Sequence, residues 1–253
     1  MSSYAARNTG IQEARGEIIA FTDADCIADE NWLRELVAPF ADPQVGGVGG
    51  QVLDYPPANM VESFLCSLKP FSRYQTDDVF LPVLLTVNTA YRKAHLLAVG
   101  LLNQNLFTAA DVDLAWRVQL RTGAKVVYAA QAIVHHKHRA TLKGLFKQFR
   151  RHGFGEILLD AMYKDHPGYQ RTPARQLKRI GSQFLALMTY VCSFCYRLLV
   201  CKLKGKDRLY VITPVLWFIA EGANVWGKMK GMWVTRFFRL NPERRLWEDP
   251  GER

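Results

Sequence analysis

Two kinds of apolar pattern alternate along the first 155 residues. Short runs rich in β-branched and aromatic residues read as strands: residues 18–22, the Gly-rich stretch ADPQVGGVGGQV, LPVLLTVNTAYR at 81–92 and KVVYAAQAIV at 125–134. The first and third carry almost no polar residue inside the run, as strands covered on both faces do. Between the runs, apolar residues recur every three or four positions. Trp32, Leu33, Leu36, Val37 and Phe40 predict a helix with Asp29 as its N-cap. Residues 59–76 predict a second helix, and 111–122 a third that stops at Gly123. Thr141 opens a fourth, with Leu142, Leu145, Phe146 and Phe149 on one face and Lys143, Lys147 and Arg150 on another. The alternation predicts an α/β fold with a mixed, mainly parallel sheet. Ligands of such sheets collect beyond the carboxyl ends of the strands.

The pattern changes toward the C-terminus, which predicts a core over 1–155 and a helical, basic region over 156–253. Two apolar stretches, 183–201 and 209–227, are each near the ~20 residues that span a bilayer. Arg197 interrupts the first, and Pro214 and Glu221 the second. Cations flank both: Arg175, Lys178 and Arg179 before; Lys202, Lys204, Lys206 and Arg208 between; Lys228, Lys230, Arg236 and Arg239 after. Cations mark the cytoplasmic side, and all three flanks carry them. The expectation is helices lying in the interface of the cytoplasmic membrane face, or a re-entrant pair. A soluble helical subdomain that packs these faces internally is the alternative.

Charge sharpens the division. Residues 1–130 hold 10 Lys and Arg against 14 Asp and Glu, a net of −4; residues 131–253 hold 23 against 9, a net of +14. A polyanionic partner of the second half follows, and an anionic membrane surface fits it. A nucleic-acid partner is not expected, because no aromatic-basic platform accompanies the charge. MSSYAARNTG has no apolar h-region of the kind a secretory leader carries. Five cysteines read as reduced thiols, with Cys192 and Cys195 as a pair packed on a helix face.

Chemistry enters with EIIAFTDADC. Asp23 and Asp25 follow a core strand, and residues two apart on a strand share a face. Paired carboxylates suit Mg²⁺ or Mn²⁺, which in turn bind diphosphate oxygens. The plainer alternative is a turn whose aspartates satisfy backbone N–H groups.

Arg7-Asn8-x-Gly10, Ala14-x-Gly16, Ile19-x-Phe21-x-Asp23-x-Asp25 and Asn31-Trp32-Leu33 together resemble glycosyltransferase family 2, as do TVNTAYRK and AADVDLAWRVQLRTGAKVVYAAQAIVHHKHR. The resemblance covers residues 5 to about 155. It implies a glycosyltransferase A fold, in part, and transfer of a sugar from a nucleotide-diphosphate donor, expected to be UDP-linked, to a lipid or glycan hydroxyl with inversion. It assigns Asp25 to the metal, Asp23 to the ribose side, and Asp111 to the general base that takes the acceptor proton. Asp113, in the first turn of the same predicted helix, suits the helix dipole. His136, or second to it His138, completes the metal site. Arg7, Gln148 and Arg151 are assigned to the donor, the last two from QFRRH, which resembles a Q-x-x-R-W motif with His152 in place of Trp. Ala110 stands where the family has Glu. The family pattern also implies strands and a helix ahead of the R-N-x-G segment, so weak donor binding by this chain is expected. The alternative function is a catalytically inactive membrane-surface module.

Overall fold

The structure, a computed structural model, describes residues 3–69, 80–170, 173–204 and 208–237. These fall into two compact units. One comprises the described residues of 1–56 and 69–138; the other comprises 57–68 and the described residues of 139–242.

In the first unit α1 (Ser3–Glu13) leads to β1 (Ile18–Thr22) and β2 (Cys26–Ala28), then α2 (Trp32–Val37), a 3-10 turn (Ala38–Ala41) and β3 (Val45–Asp54). After α3 (Met60–Ser67), which belongs to the second unit, come β4 (Asn88–Arg92), α4 (Lys93–Ala98), α5 (Ala110–Thr122) and β5 (Lys125–His136). The strands form one sheet in the order β1-β4-β3-β5-β2. It is mixed, as expected, but not mainly parallel. Among the described residues only β3 with β5 is parallel; β1 with β4, β3 with β4 and β2 with β5 are antiparallel. Helix-strand alternation does not by itself fix pairing direction: β3 and β4 flank α3 in sequence and are neighbours in the sheet, yet they pair antiparallel.

Leu36, Phe40, Val45, Val48, Ala90 and Ala132 form the core between the α2 layer and the sheet. The glycines of β3 let other groups reach the strand. Leu84 occupies the space a β-carbon would need at Gly47 and Gly49, and the Asn88 amide occupies it at Gly50. Asn88 donates to the carbonyls of Gln51 and Ala132, both at 2.8 Å, and accepts from the Trp32 indole at 2.8 Å. One buried amide thus joins α2, β3, β4 and the strand that leads to His136.

Several boundaries move. Asn31, not Asp29, is the N-cap of α2, and it makes no side-chain cap bond; Asp29 instead faces His135 at 3.1 Å. The 59–76 helix is α3, capped by Asn59, and positions 70–76 lie outside the described residues. In LPVLLTVNTAYR only Asn88–Arg92 is a strand. The preceding residues run along α5, whose Trp116 and Gln119 donate to the carbonyls of Leu81 and Pro82. Helix α5 ends at Gly123, φ 65°, as its sequence predicts. Helices α1 and α4 carry no legible apolar period: α1 buries only Tyr4, Asn8 and Ile11.

The second unit joins α3 to α6 (Leu142–Tyr163), α7 (Pro173–Lys204) and α8 (Arg208–Phe237). The expected boundary at 155 falls inside α6, which Thr141 caps at Gly144 N, 3.1 Å. Phe64, Leu65, Leu145, Leu216 and Ala220 are its core. Lys206 and Arg239 lie outside the described residues.

Candidate active site

The strand β1 delivers Asp23 and Asp25 to a tight turn, closed by Cys26 N–H donating to Asp23 C=O at 3.0 Å. The same-face strand argument therefore does not hold, because a turn separates the two side chains. Each meets its own partner. Arg7, from α1, donates to Asp23 Oδ1 at 2.6 Å. Asp25 Oδ1 stands 3.7 Å from His136 Nε2.

The second contact follows from strand register. β2 begins at Cys26, paired with His136, and Lys137 N–H donates to Asp25 C=O at 2.8 Å. This ladder holds the Asp25 backbone against the end of β5. His136 and His138, two apart, meet edge to face with centroids 4.9 Å apart. His138 Nε2 in turn lies 2.7 Å from Asp54 Oδ1 on the last residue of β3. The two histidines thereby take different carboxylates: His136 approaches Asp25, and His138 is bound to Asp54. His135, on the opposite face, turns to Asp29.

Asp111 lies in the first turn of α5 and is half-buried. It is not the N-cap; Ala109, φ 64°, holds that place. Asp111 Oδ1 accepts from Val112 N–H at 3.0 Å. Burial pushes its carboxyl above the ordinary value of 3.8, and the Asp23 charge adds to this; the Val112 N–H and the Arg7 charge oppose. Arg7 is thus bonded to one acidic group and felt by the other. Burial first, and then the Asp111 charge, also push the Tyr91 phenol up.

Two anchors fix these positions. Asn8 pairs reciprocally with the backbone of Leu102, at 2.8 and 3.0 Å, and so pins α1 and with it Arg7. Asp113, fully buried, binds Arg117 through two contacts at 2.7 and 2.9 Å, while Arg117 also donates to the carbonyls of Val99 and Leu101. The fixed partner of Asp113 is therefore the guanidinium one turn on, rather than the helix dipole alone. Such i,i+4 spacing is legible in a sequence; the burial of the pair is not. Asp54 carries no sequence signal, because only the parallel register of β3 with β5 brings it to His138.

Gln148 and Arg151 lie on α6 in the second unit, Gln148 half-buried and Arg151 exposed.

A carboxylate and an imidazole 3.7 Å apart at a strand end fit a divalent cation, since both are ordinary ligands of Mn²⁺. The fold agrees with known proteins. Over 92% of its length the chain superposes on 67% of a solved mannosyltransferase from Pyrobaculum calidifontis, crystallised with GDP-Man and Mn²⁺, with a TM-score of 0.54 at 16% identity. That likeness defines the class, a glycosyltransferase A fold. Residues 3–97 match the family model for Glycosyl transferase family 2. Among curated relatives, Glycosyltransferase AglE of Haloferax volcanii is 34% identical over 158 residues, covering 61% of this chain and 50% of the relative. The Pre-mycofactocin glycosyltransferase of Mycobacterium tuberculosis is 30% identical over 154 residues, covering 55% of this chain and 31% of the relative. The chain therefore spans between about a third and a half of the length of these relatives.

Proposed function

We propose that the protein transfers a sugar from a nucleotide-diphosphate donor to a hydroxyl acceptor, lipid or glycan, with inversion and with help from Mn²⁺ or Mg²⁺, at a membrane surface. The observation that supports the reading is a pair of contacts beyond the ends of β1 and β5, with one of them felt electrostatically by the first turn of α5. Asp25 approaches His136, Arg7 holds Asp23, and Arg7 and Asp23 both act on the charge of Asp111.

Each residue has a distinct task in this reading. Asp25 and His136 hold the cation, which when bound neutralises charge on the donor diphosphate. Asp23 orients the ribose, and Arg7 faces the donor. Asp111 accepts the proton of the acceptor hydroxyl as that oxygen bonds to the anomeric carbon. The bond from that carbon to the diphosphate oxygen breaks on the opposite face, and the diphosphate leaves with the electron pair. A carboxyl raised by burial is a better proton acceptor than an ordinary carboxylate once ionised, as general-base work at neutral pH requires. Gln148 and Arg151 are assigned to the donor diphosphate as well. The basic, apolar C-terminal helices support attachment to an anionic membrane, on its cytoplasmic face by the distribution of cations. The inverting outcome and the acceptor class come from the resemblance alone, and the Asp25–His136 approach supports the cation. The mannosyltransferase neighbour, solved with GDP-Man, supports a nucleotide-sugar donor and leaves the UDP expectation as the thing to test.

The test is turnover of a panel of UDP- and GDP-sugars with and without Mn²⁺. Metal-dependent release of nucleoside diphosphate that is lost in Asp111→Asn and in Asp25→Ala supports the proposal. Release that persists in Asp111→Asn refutes the assignment of the base. No release and no Mn²⁺ binding would favour the inactive module, which Ala110 in place of the family Glu makes a serious competitor.

A further inference from the structure

The second unit buries a polar cluster beside its apolar core and leaves many apolar side chains exposed. Lys228 is 1% exposed, and its ammonium donates to Gln183 Oε1 at 2.9 Å and pairs with Glu156 Oε2 at 3.1 Å. The Gln183 amide nitrogen donates to Glu221 at 2.6 Å and to Asn224 at 3.0 Å. This chain of polar groups links α6, α7 and α8 in the interior. Ile180, Leu187, Leu216 and Ala220 of these helices are buried, but other apolar residues face outward: Leu185 is 68% exposed, Met188 60%, Leu199 59% and Trp226 59%. Only 6% of the most apolar window within Ala174–Cys201 is buried. Cys192 and Cys195, expected as packed thiols, are both exposed on the same helix. In water a long helix that is apolar outside and polar inside is unstable; in hydrocarbon it is the favoured arrangement.

Two further observations agree. Gln183 with Asn224, Tyr190 stacked on Trp217, and Arg197 Nη1 on Tyr210 C=O at 2.9 Å show that α7 and α8 form an antiparallel hairpin. Between the Gln183–Asn224 contact and the cationic stretch of sequence 202–208 lie 18 mostly apolar residues of α7 (184–201) and 15 of α8 (209–223), about 27 Å and about 22 Å of helix. The α6–α8 contact is also made backbone to backbone. A β-carbon at Gly153 would collide with Asn224 C=O, and one at Gly227 with Arg150 C=O. Gly231, four residues on, meets Ile157 in the same way.

We infer that the α7–α8 hairpin inserts into the hydrocarbon of an anionic bilayer, with lipid acyl chains as the partner of its apolar outer face. Charge supports this occupant, because Lys and Arg stand at both ends of the hairpin and the apolar face lies between them. The inference deepens the membrane part of the reading above and is independent of the transfer chemistry.

The full chain carrying Cys26→Ser, Cys66→Ser and Cys201→Ser is bound to phosphatidylglycerol-containing vesicles and exposed to a water-soluble maleimide. Protection of Cys192 and Cys195 in floated vesicles, with full labelling after denaturation in detergent, is expected. Flotation with thiols that label as fast as a free thiol means attachment at the headgroup level only and overturns insertion. Absence of flotation, with both thiols protected in a soluble dimer, makes a second copy the occupant and also overturns it. In the native chain Met188→Lys is expected to lower partition into vesicles about a hundredfold, whereas Leu97→Lys, at an exposed apolar position of the other unit, leaves it unchanged. Equal partition of M188K and native chain would refute the claim. No donor, metal or turnover enters these readouts, so failure here leaves the transferase proposal standing, and the reverse.

Discussion

The two units both bury an apolar core and differ in what they leave exposed. In the α/β unit the interior is apolar: Leu36, Val48 and Ala90 are fully buried, and the acidic groups gather at strand ends and at a helix N-terminus. Its deeply buried ion pair, Asp113 with Arg117, is fully hydrogen-bonded and fixes a loop. In the helical unit the interior holds Lys228, Gln183 and Asn224 beside the apolar core of Phe64, Leu65, Leu145, Leu216 and Ala220, and large apolar side chains of α7 and α8 remain exposed. One sequence thus contains a region shaped by water and a region whose surface suits hydrocarbon. Amino-acid composition alone does not separate them, since both are rich in apolar residues; the direction in which those residues face does.

Experiments that break or sharpen this contrast run from large effects to small. Asp111→Asn is expected to lower turnover by about 10²–10⁴-fold, read as nucleoside diphosphate release. Its stability should move the other way. The folded carboxyl is raised above 3.8, so ionising it costs the native state free energy, a cost absent at low pH and complete above the folded value. The Asn variant should therefore match or exceed the native thermal midpoint at pH 7, and a lower midpoint would mean that Asp111 is structural.

Breaking either buried pair should cost about 3–5 kcal/mol, because the partner is left charged and unpaired. Arg117→Met exposes this in the α/β unit, by denaturant unfolding in aqueous buffer. Lys228→Met does so in the helical unit, by thermal unfolding in vesicles. If Lys228→Met costs nothing, the internal polar chain is incidental and the contrast between the units weakens. Gly227→Leu should cost about 1–3 kcal/mol or more, by forcing α6 and α8 apart; an unchanged midpoint would deny the close helix approach.

Arg7→Ala should be mild for stability, about 0–1 kcal/mol, since the Arg7–Asp23 pair is partly exposed. It is sharper for pH dependence. The Arg7 charge lowers the Asp111 carboxyl, so its loss should shift the acidic limb of the pH–rate profile upward. An unmoved limb would separate Arg7 from the base.

Much of the candidate site is legible in the chain itself. The family resemblance points to Asp23, Asp25, Asp111 and His136, and the fold sets Asp25 by His136 and Asp23 within the electrostatic reach of Asp111. Strand and helix identity are legible where periodicity is strong, as in β1, β3, α5 and α6. Pairing direction is not, because a strand's neighbours are chosen by the whole sheet and not by the run itself. Asp54 and the Asn88 bridge are invisible for the same reason: each acts on residues about 37 to 84 positions away.

Sequence by itself determined the local quantities: which segments are apolar, where helices start and stop, which residue types can hold a cation or take a proton, and that the second half is basic. These follow from side-chain chemistry and near-neighbour spacing, which act within a few turns of chain. Tertiary structure alone decided orientation. It put Asp23 on Arg7 and Asp25 against His136, and it buried Gln183 of α7 while leaving Leu185, Met188 and Leu199 exposed. Orientation depends on contacts between distant segments, and no local pattern encodes which of two faces another part of the chain will cover.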